Sequence, residues 1–388
     1  MKILIVNLLS IDTEKAYAVT ISCTGEALKK TVAVDFLGPA QFSTTGFDGI
    51  FEVKWKRVSK SLWRLSKLLR YPFVDRISLL LVRSLVYIIL VFNRNNLKSY
   101  AIWTRDIRIA LLASKLNIPT LCEVHKTFSH REISSLNRAS KFTSLVFSPI
   151  SSHLKSELLQ YDIIKQNNVQ LVQLPMGVKS EFLNQPSFRN LFQSYPLINI
   201  GYFGSMSSMG VSSEIDFFIR KLAQVTSYRF RVLLVGIGKE GKLEIDKLIE
   251  EVDTSRLNIQ VVERVKHQLV PNLMKGCDIL VVPYGEGSLN LGRFPIKIVE
   301  YAASKIPILC SDTPSNRSIL GESRAWFFSY DKSVPLVNVI EMIVGDTDLR
   351  EEKIRNAYQW AKELSYEKRA EKILCALAQF YLQTNTES

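Results

Sequence analysis

Residues 294–303 read Phe-Pro-Ile-Lys-Ile-Val-Glu-Tyr-Ala-Ala, a helical pattern that is set between two short apolar runs. Cys277–Pro283 precedes it, and Ile306–Cys310 follows it. Short apolar runs of this kind are typical of strands that are buried on both faces of a parallel sheet. Pro295 suits the first turn of a helix, because the backbone N–H that it lacks has no partner there. The pattern therefore predicts a strand, a Gly-rich loop, a helix and a second strand.

Lys297 and Glu300 lie three residues apart near the start of this predicted helix, so they share one face. The N-terminus of a helix carries free N–H groups and partial positive charge, which favours a phosphate group. Lys297 adds a formal positive charge, and Glu300 can accept hydrogen bonds from a diol such as a ribose. These residues in this order fit a nucleotide diphosphate. The alternative is an ordinary amphipathic helix with a surface ion pair, worth only about 0.3–0.5 kcal/mol.

Three neighbouring segments carry a resemblance to a known family: Asp278–Pro283, then Pro295-x-Lys297-x-x-Glu300-Tyr301, then Pro307–Asp312. They resemble the donor-binding segment of GT-B glycosyltransferases of the retaining family 4 type. In that family the glutamate at the position of Glu300 typically binds the donor ribose. A second glutamate, eight residues earlier, often contacts the sugar, and this chain has Gly292 at that position.

Strands and helices alternate along both halves of the chain, which predicts an α/β protein with two doubly wound domains that face a cleft. The resemblance names this architecture GT-B, with two Rossmann-like domains and a central cleft. We predict an acceptor-side domain over 1–183, a polar linker over 184–196 and a donor-binding domain over 197–364. The resemblance implies that 365–388 is a helix that crosses back to the first domain.

A strand at the start of the second half runs into a loop that is rich in Gly and Ser. Such a loop can cradle a phosphate through its backbone N–H groups, so Gly204 and Ser205 are predicted to bind the donor. In the resembled family an Arg and a Lys in this region often grip the diphosphate. This chain has Ser205 and Met209 there.

Lys297 and Arg293 would then carry the positive charge for the diphosphate, and the resemblance places the nucleotide base near Val265. The sequence shows no cluster of metal-ligand residues. Its one Asp-x-Asp, at 346–348, is better interpreted as a helix cap. We therefore expect no metal and no cofactor, with the nucleotide-sugar as the donor substrate.

Two polar residues follow apolar strands in the first half of the chain, Arg105 and His125. Ligands of open parallel sheets bind outside the carboxyl ends of strands, so both residues occupy candidate site positions. A lone histidine is more often structural, and position alone favours that role for His125. The resembled family commonly has a histidine here that faces the donor sugar. On that basis we predict His125 and Glu300 as catalytic residues and Arg105 on the acceptor side.

The net charge of +13 comes entirely from the first half of the chain. Residues 1–190 hold 26 Lys and Arg against 13 Asp and Glu, whereas residues 191–388 hold 24 of each kind. The segment 54–70 alone holds seven basic residues and no acid, with leucines at helical spacing and two tryptophans. A basic amphipathic helix with Trp indicates a membrane surface. The alternative is a solvated helix that packs on its own domain.

Residues 77–92 are strongly apolar but number only sixteen, fewer than the roughly 20 that a membrane span needs. We interpret them as a buried or interfacial helix, so that 54–92 would contact an anionic membrane from one side. The five scattered cysteines fit a reducing cytoplasm. The chain begins with a strand-like run and shows no export signal. We see no nucleic-acid module, and we expect a cytoplasmic protein that is peripheral on the inner face of the cell membrane.

These observations predict a glycosyltransferase, a hexosyltransferase-like enzyme that moves a sugar from a nucleotide-sugar donor to a glycan or lipid-linked acceptor, with retention. The basic first half suggests a place in cell-surface polysaccharide or lipopolysaccharide synthesis. An alternative is a non-catalytic partner subunit with a degenerate donor site, which Gly292, Ser205 and Met209 motivate. A nucleotide-sugar 2-epimerase of similar fold is a third candidate, but it would need further carboxylates and histidines around the sugar.

Overall fold

The structure is a computed structural model of the 388-residue chain. It describes residues 1–8, 16–37, 72–138, 144–166, 169–184, 192, 195–208, 211–285, 292–330 and 335–386. The basic segment 54–70 and Met209 lie outside these residues. The chain forms two compact units, one of Met1–Pro175 with Tyr366–Ser388, the other of Met176–Ser365.

The first unit is built on a parallel sheet of six strands, in the order β2-β1-β3-β4-β5-β6. The continuous apolar runs of the sequence form its central strands, which are buried on both faces. The strands are β1 Lys2–Val6, β2 Val34–Leu37, β3 Tyr100–Thr104, β4 Thr120–Val124, β5 Leu145–Pro149 and β6 Gln170–Leu171. The helices are α1 Ala16–Lys29, α2 Pro72–Phe92, α3 Ile107–Lys115, α4 His130–Asn137, α5 Ser152–Leu158, α6 Asp162–Gln166 and, at the end of the chain, Tyr366–Thr386.

The second unit has its own parallel sheet of six strands, in the order β11-β10-β7-β12-β13-β14. Its strands are β7 Leu197–Phe203, β10 Arg229–Val235, β11 Leu257–Val262, β12 Ile279–Val282, β13 Ile308–Ser311 and β14 Trp326–Phe328, with a small hairpin of β8 Ser207–Ser208 and β9 Val211–Ser212. Its helices are α7 Ser180–Leu183, α8 Ile215–Ala223, α9 Lys239–Glu251, α10 Val270–Met274, α11 Ile296–Ala303, α12 Pro314–Leu320, α13 Leu336–Gly345 and α14 Thr347–Lys362. The C-terminal Tyr366–Thr386 helix of the first unit is then α15.

The order of the strands in the second sheet fixes where a ligand can bind. The chain moves from β7 outward to β10 and β11, then returns to the other side of β7 and continues through β12, β13 and β14. This is the dinucleotide-binding order of doubly wound sheets, and their ligands bind at the carboxyl ends of the two strands where the direction reverses. In this unit those strands are β7 and β12. The first sheet reverses in the same way between β1 and β3.

Helix α15 belongs to the first unit, where it packs on α1. Lys30, the residue after α1, and Glu367 of α15 form an exposed ion pair of 2.8 Å. The chain passes from the first unit to the second between Pro175 and Met176, and it returns between Ser365 and Tyr366. Most of the segment 184–196, which the sequence suggested as a linker, lies outside the described residues.

Helix α2 corresponds to the predicted apolar helix over 77–92. Val86 and Leu90 are buried, and the helix packs on α3. Leu80 and Ile88 are about half exposed, and Phe92 is 84% exposed. One face of α2 thus belongs to the core, while the other leaves large apolar side chains uncovered. None of the helices in the described part of the chain has both the length and the hydropathy to cross a membrane.

Candidate donor site and buried histidine cluster

Helix α11 begins at the carboxyl edge of the second sheet, and its first turns are buried. Pro295 is its N-cap and provides no side-chain hydrogen bond. Lys297 is 9% exposed and Glu300 is 5% exposed. The alternative interpretation, a surface ion pair between these two residues, is therefore wrong. Both side chains are buried, and each contacts a different group.

The Lys297 ammonium group is surrounded by tyrosines. Its Nζ lies 4.0 Å from the ring centroid of Tyr202, on β7, and 5.2 Å from that of Tyr284, which follows β12. Burial by itself lowers the pKa of Lys297, but Tyr202, Tyr284 and Tyr301 outweigh it and hold the pKa above its ordinary value. Lys297 is therefore charged at neutral pH, at the point where the strand order reverses.

No carboxylate among the described residues is within ion-pair distance of Lys297. Aromatic faces attract a cation, but they do not neutralise its charge. A buried charge without a counter-ion is costly, so this position favours an anion that the protein does not itself supply. The free N–H groups at the start of α11 add to the same preference.

The backbone of Gly204 lies against Lys297. A Cβ atom at residue 204 would be only 2.4 Å from Nζ of Lys297, and the φ angle of +149° is one that side-chain-bearing residues rarely adopt. Gly204 also lies beside Gly236, at the end of β10, whose φ is +89°. Two of the predicted donor-binding residues, Gly204 and Lys297, are thus in direct contact.

Two tyrosine hydroxyl groups hold the end of β7 in place. Tyr202 donates to the backbone oxygen of Ser205 at 2.7 Å, and Tyr301 accepts from the backbone N–H of Phe203 at 2.8 Å. No role for these two residues or for Tyr284 was predicted from the sequence. Tyr301 directly follows Glu300 in the quoted motif. The residues around Tyr202 and Tyr284 in the sequence give no sign that these tyrosines lie beside Lys297.

Glu300 is held by a histidine from a different part of the unit. The Oε1 atom of Glu300 lies 2.6 Å from Nε2 of His267. The His267 ring packs against Phe182, which is buried on α7, with ring centroids 5.3 Å apart. Sequence reasoning missed His267, although it lies only two residues after Val265.

Three further predicted positions lie around this region. Val265 is partly buried in the loop after β11, and Ser205 is partly buried after β7. Arg293 is partly buried immediately before α11, next to Gly292. The structure places all three at the carboxyl side of the second sheet.

A carboxylate that the sequence analysis did not consider, Glu214, lies at the start of α8. Its backbone is left-handed, with φ of 54°, which is uncommon for a residue with a side chain. Its carboxylate occupies the space that a side chain at Gly285 would need. Burial, and then Asp216, raise the pKa of the Glu214 carboxyl. Strained backbone of this kind is often found at functional sites.

The two predicted positions of the first unit meet at one buried carboxylate, Glu123 on β4. Arg105 donates to its Oε1 at 3.1 Å, and Nε2 of His125 lies 2.5 Å from the same oxygen. Trp103 donates to Oε2 at 2.9 Å, and Arg369 of α15 lies 2.7 Å from Oε2. The side chains of Arg105 and His125 remain 16% and 27% exposed, respectively.

The charges of this cluster keep His125 neutral. Burial, and then the Arg105 guanidinium, lower the pKa of His125 to about 4. Burial alone would raise the pKa of Glu123, but the two guanidinium groups and His125 hold it well below its usual range. Because Nε2 of His125 donates to the carboxylate, its Nδ1 is left as an acceptor.

Residues 198–346 match the family model described as Glycosyl transferases group 1. The comparison with curated protein sequences gives no match.

Solved structures resemble the whole chain. The glycosyltransferase from Rickettsia africae ESF-5 has a TM-score of 0.67 at 15% identity, over 98% of this chain and 99% of that chain. Anabaena HepE in complex with UDP-glucose has a TM-score of 0.61 at 16% identity, over 98% and 100% of the two chains. Sucrose-phosphate synthase from Thermosynechococcus elongatus has a TM-score of 0.62 at 14% identity, over 100% of each chain.

These likenesses and the two parallel six-stranded sheets confirm the predicted α/β architecture of the GT-B type. The match of 198–346 confirms the prediction of a glycosyltransferase domain, and with it that of a transferase enzyme. The matched segment contains all of β7 but its first residue, together with β12 and α11, so it contains Gly204, Lys297 and Glu300.

Proposed function

We propose that this chain is a retaining glycosyltransferase of the family 4 type that takes its sugar from a nucleotide-sugar. The observation that carries the proposal is the buried, charged Lys297 at the carboxyl ends of β7 and β12, with aromatic neighbours and no described carboxylate partner. A nucleoside diphosphate supplies the missing negative charge. Doubly wound sheets bind such ligands at this position.

The proposed chemistry is a transfer between two oxygen atoms. The bond between the anomeric carbon and the terminal phosphate oxygen of the donor breaks, and its electron pair stays on the phosphate. The acceptor hydroxyl forms the new bond to the anomeric carbon, and its proton passes to the departing phosphate. Lys297 and the start of α11 stabilise the charge that grows on this phosphate. They supply the positive charge that the step needs, and on this ground we propose that it proceeds without a metal or other cofactor.

The other predicted residues of the donor site contact the ribose, the diphosphate and the base of the nucleotide-sugar. Glu300 accepts hydrogen bonds from the donor ribose, and the backbone of Gly204 and Ser205 approaches the diphosphate. Arg293 adds charge at the entrance to α11. The base rests on the backbone near Val265.

The first unit contributes His125 and Arg105. We propose His125 as a second catalytic group, which acts on the sugar as a neutral imidazole, and Arg105 as an acceptor-side residue. The support is their shared partner Glu123, which fixes both side chains while leaving part of each exposed.

For the acceptor we propose a glycan or a lipid-linked glycan of a cell-surface polysaccharide or lipopolysaccharide, reached at the cytoplasmic face of the membrane. The basic excess of residues 1–190 and the apolar side chains that α2 leaves exposed support this, since anionic lipid attracts the first and the interface accepts the second. Sedimentation with vesicles of anionic or neutral lipid measures this contact. Equal binding to both, or to neither, would contradict it.

The donor can be identified by a thermal-shift screen of UDP-, GDP- and ADP-sugars. UDP-glucose comes first, because HepE, of similar fold, was solved with that compound. A shift for one nucleotide in the wild type that is lost in Glu300→Ala would support the donor site. A folded protein that responds to none of the three would contradict it.

A second candidate is a non-catalytic partner subunit that has kept donor binding. Gly292, which stands where the resembled family often has a sugar-binding glutamate, favours this candidate. Retained donor binding with no transfer and no donor hydrolysis on membrane preparations would support it. Release of nucleoside diphosphate that depends on an acceptor would exclude it.

A further inference from the structure

We propose that His267 is a positioning residue for the donor ribose, which holds the carboxylate of Glu300 in the orientation that receives the ribose hydroxyls. The proposal rests on the proposed function, since it assigns a residue to the same donor site. His267 acts through Glu300 and is not itself proposed to contact the reacting atoms.

The geometry shows how Glu300 is oriented. Its side chain is almost completely buried, and its Oε1 atom is 2.6 Å from Nε2 of His267. Among the described residues, His267 is the one hydrogen-bond donor to this carboxylate. A glutamate has three rotatable bonds, so one fixed oxygen removes most of their freedom and leaves Oε2 available to a ligand. A ribose diol offers the O–H donors that such an oxygen accepts.

The His267 ring is itself held from two sides. Phe182 packs on it with ring centroids 5.3 Å apart, and Glu300 accepts from its Nε2. Because a carboxylate oxygen can only accept, the proton lies on Nε2. The Nδ1 atom is buried and has no hydrogen-bond partner among the described residues. The ring is therefore fixed by packing and by one hydrogen bond, and that bond is the one to Glu300.

The place of His267 in the chain also fits this role. It begins the short 3-10 turn His267–Leu269, two residues after Val265, while Glu300 lies on α11. In the proposed site the base rests near Val265 and the ribose at Glu300. His267 thus joins the segment beside the base to the carboxylate beside the ribose, and it sets the distance between these two parts of the nucleotide site.

A purely structural role would make a different prediction. If His267 only supported packing, its replacement would weaken all nucleotides alike, through a less ordered site. If it orients Glu300, its replacement would weaken only those ligands that carry ribose hydroxyls. One ratio separates the two cases. It is the dissociation constant of the 2′,3′-dideoxy nucleoside diphosphate divided by the dissociation constant of the normal nucleoside diphosphate.

The experiment measures this ratio by calorimetry on the full chain, with UDP and 2′,3′-dideoxy-UDP first, or with the pair for whichever nucleotide the donor screen identifies. His267→Phe keeps an aromatic ring against Phe182 but removes the donor. His267→Gln keeps an amide N–H close to the position of Nε2. His153→Phe, on the exposed face of α5, is the matched control.

We expect a ratio on the order of 10 to 100 for the wild type, because hydrogen bonds to a charged group carry this much discrimination. The ratio should fall to about 1–3 in His267→Phe and should be largely restored in His267→Gln, with no change in His153→Phe. If His267→Phe does not fold, Phe182→Leu replaces it, and its ratio should fall in the same direction. An unchanged ratio in a folded His267→Phe or Phe182→Leu protein would overturn this proposal alone. A wild type that binds no nucleotide would overturn the proposed function and this proposal with it.

Discussion

The ammonium group of Lys297 lies 4.0 Å from the ring centroid of Tyr202, so the start of helix α11 and the end of strand β7 meet at a buried cation. Tyr284 approaches the same group from the end of β12. The three residues come from the three elements that surround the reversal point of the second sheet. A positive charge is thereby fixed at the position where doubly wound sheets bind their ligands. Removing this charge tests its role.

Lys297→Met should separate stability from donor binding. Methionine fills a similar space among the tyrosines, and it removes a buried charge that has no described carboxylate partner. We expect the melting temperature of the free protein to stay the same or to rise, while donor affinity falls about 10- to 100-fold. Differential scanning calorimetry and titration calorimetry measure the two quantities.

Lys221→Met is the matched control for this change. Lys221, on helix α8, also lies over an aromatic ring, that of Phe217, at 5.4 Å. It should leave donor affinity unchanged. Equal loss of affinity in both variants, or full affinity in Lys297→Met, would show that Lys297 does not bind the donor.

Gly204→Ala should disturb the same site through its backbone. A Cβ there would collide with Lys297, and the φ angle of +149° is unfavourable for alanine. We expect a loss of about 1–3 kcal/mol in the free energy of unfolding, and weaker donor binding because Lys297 must move. Gly238→Ala is the control, since a Cβ at residue 238 would meet no atom within 4 Å. Urea unfolding of the two variants compares them directly.

The local pattern of residues 294–303 was sufficient to predict the βαβ unit. The helix begins next to Pro295 as expected and runs over Ile296–Ala303, and the flanking strands are Ile279–Val282 and Ile308–Ser311. Asp346 caps α14 by accepting from the N–H of Leu349, as its motif indicated. These predictions succeed because caps, turns and apolar periodicity act over a few neighbouring residues.

The partners of the site residues could not be predicted in the same way. His267 reaches Glu300 from a 3-10 turn 33 residues earlier, and Tyr202 reaches Lys297 from strand β7. These contacts depend on which strands become neighbours in the sheet, and a single sequence carries no local signal for them. The same holds for Glu123, whose partners come from β3, from the residues that directly follow β3 and β4, and from α15.

The neutral state of His125 predicts how stability depends on pH. Its pKa is about 4 in the folded chain, against an ordinary value near 6.5 in the unfolded chain. Between these values the unfolded chain binds more protons, so stability is fully present above pH 6.5 and is lost as the pH falls towards 4. We expect the loss from this residue to approach about 3 kcal/mol. Urea unfolding at pH 7.0, 5.5 and 4.5 measures it.

His125→Gln keeps a donor for Glu123 but does not titrate, so it is the comparison for this measurement. Its stability should depend less steeply on pH between 6.5 and 4.5 than that of the wild type. The exposed His130 provides the control, and His130→Gln should retain the wild-type slope. A His125→Gln protein with the wild-type slope would assign the acid sensitivity to other groups.

Arg369→Met should show how strongly α15 is held in the first unit. Arg369 is 3% exposed, it donates to the backbone oxygens of Leu174 and Pro175, and its guanidinium lies 2.7 Å from Glu123. Its removal leaves part of a buried carboxylate without its charge partner, which typically costs about 3–5 kcal/mol in the free energy of unfolding.

The exposed ion pair between Lys30 and Glu367 joins the same helix to α1 and gives the control. Lys30→Met should change the free energy of unfolding far less than Arg369→Met does, because exposed pairs contribute little. Hydrogen exchange should then show faster exchange along α15 in Arg369→Met, and unchanged exchange in Lys30→Met. If the two variants lost similar stability, the guanidinium would not be what holds the helix. Its apolar face would hold it instead, through Ile373 and Leu377, which are both fully buried.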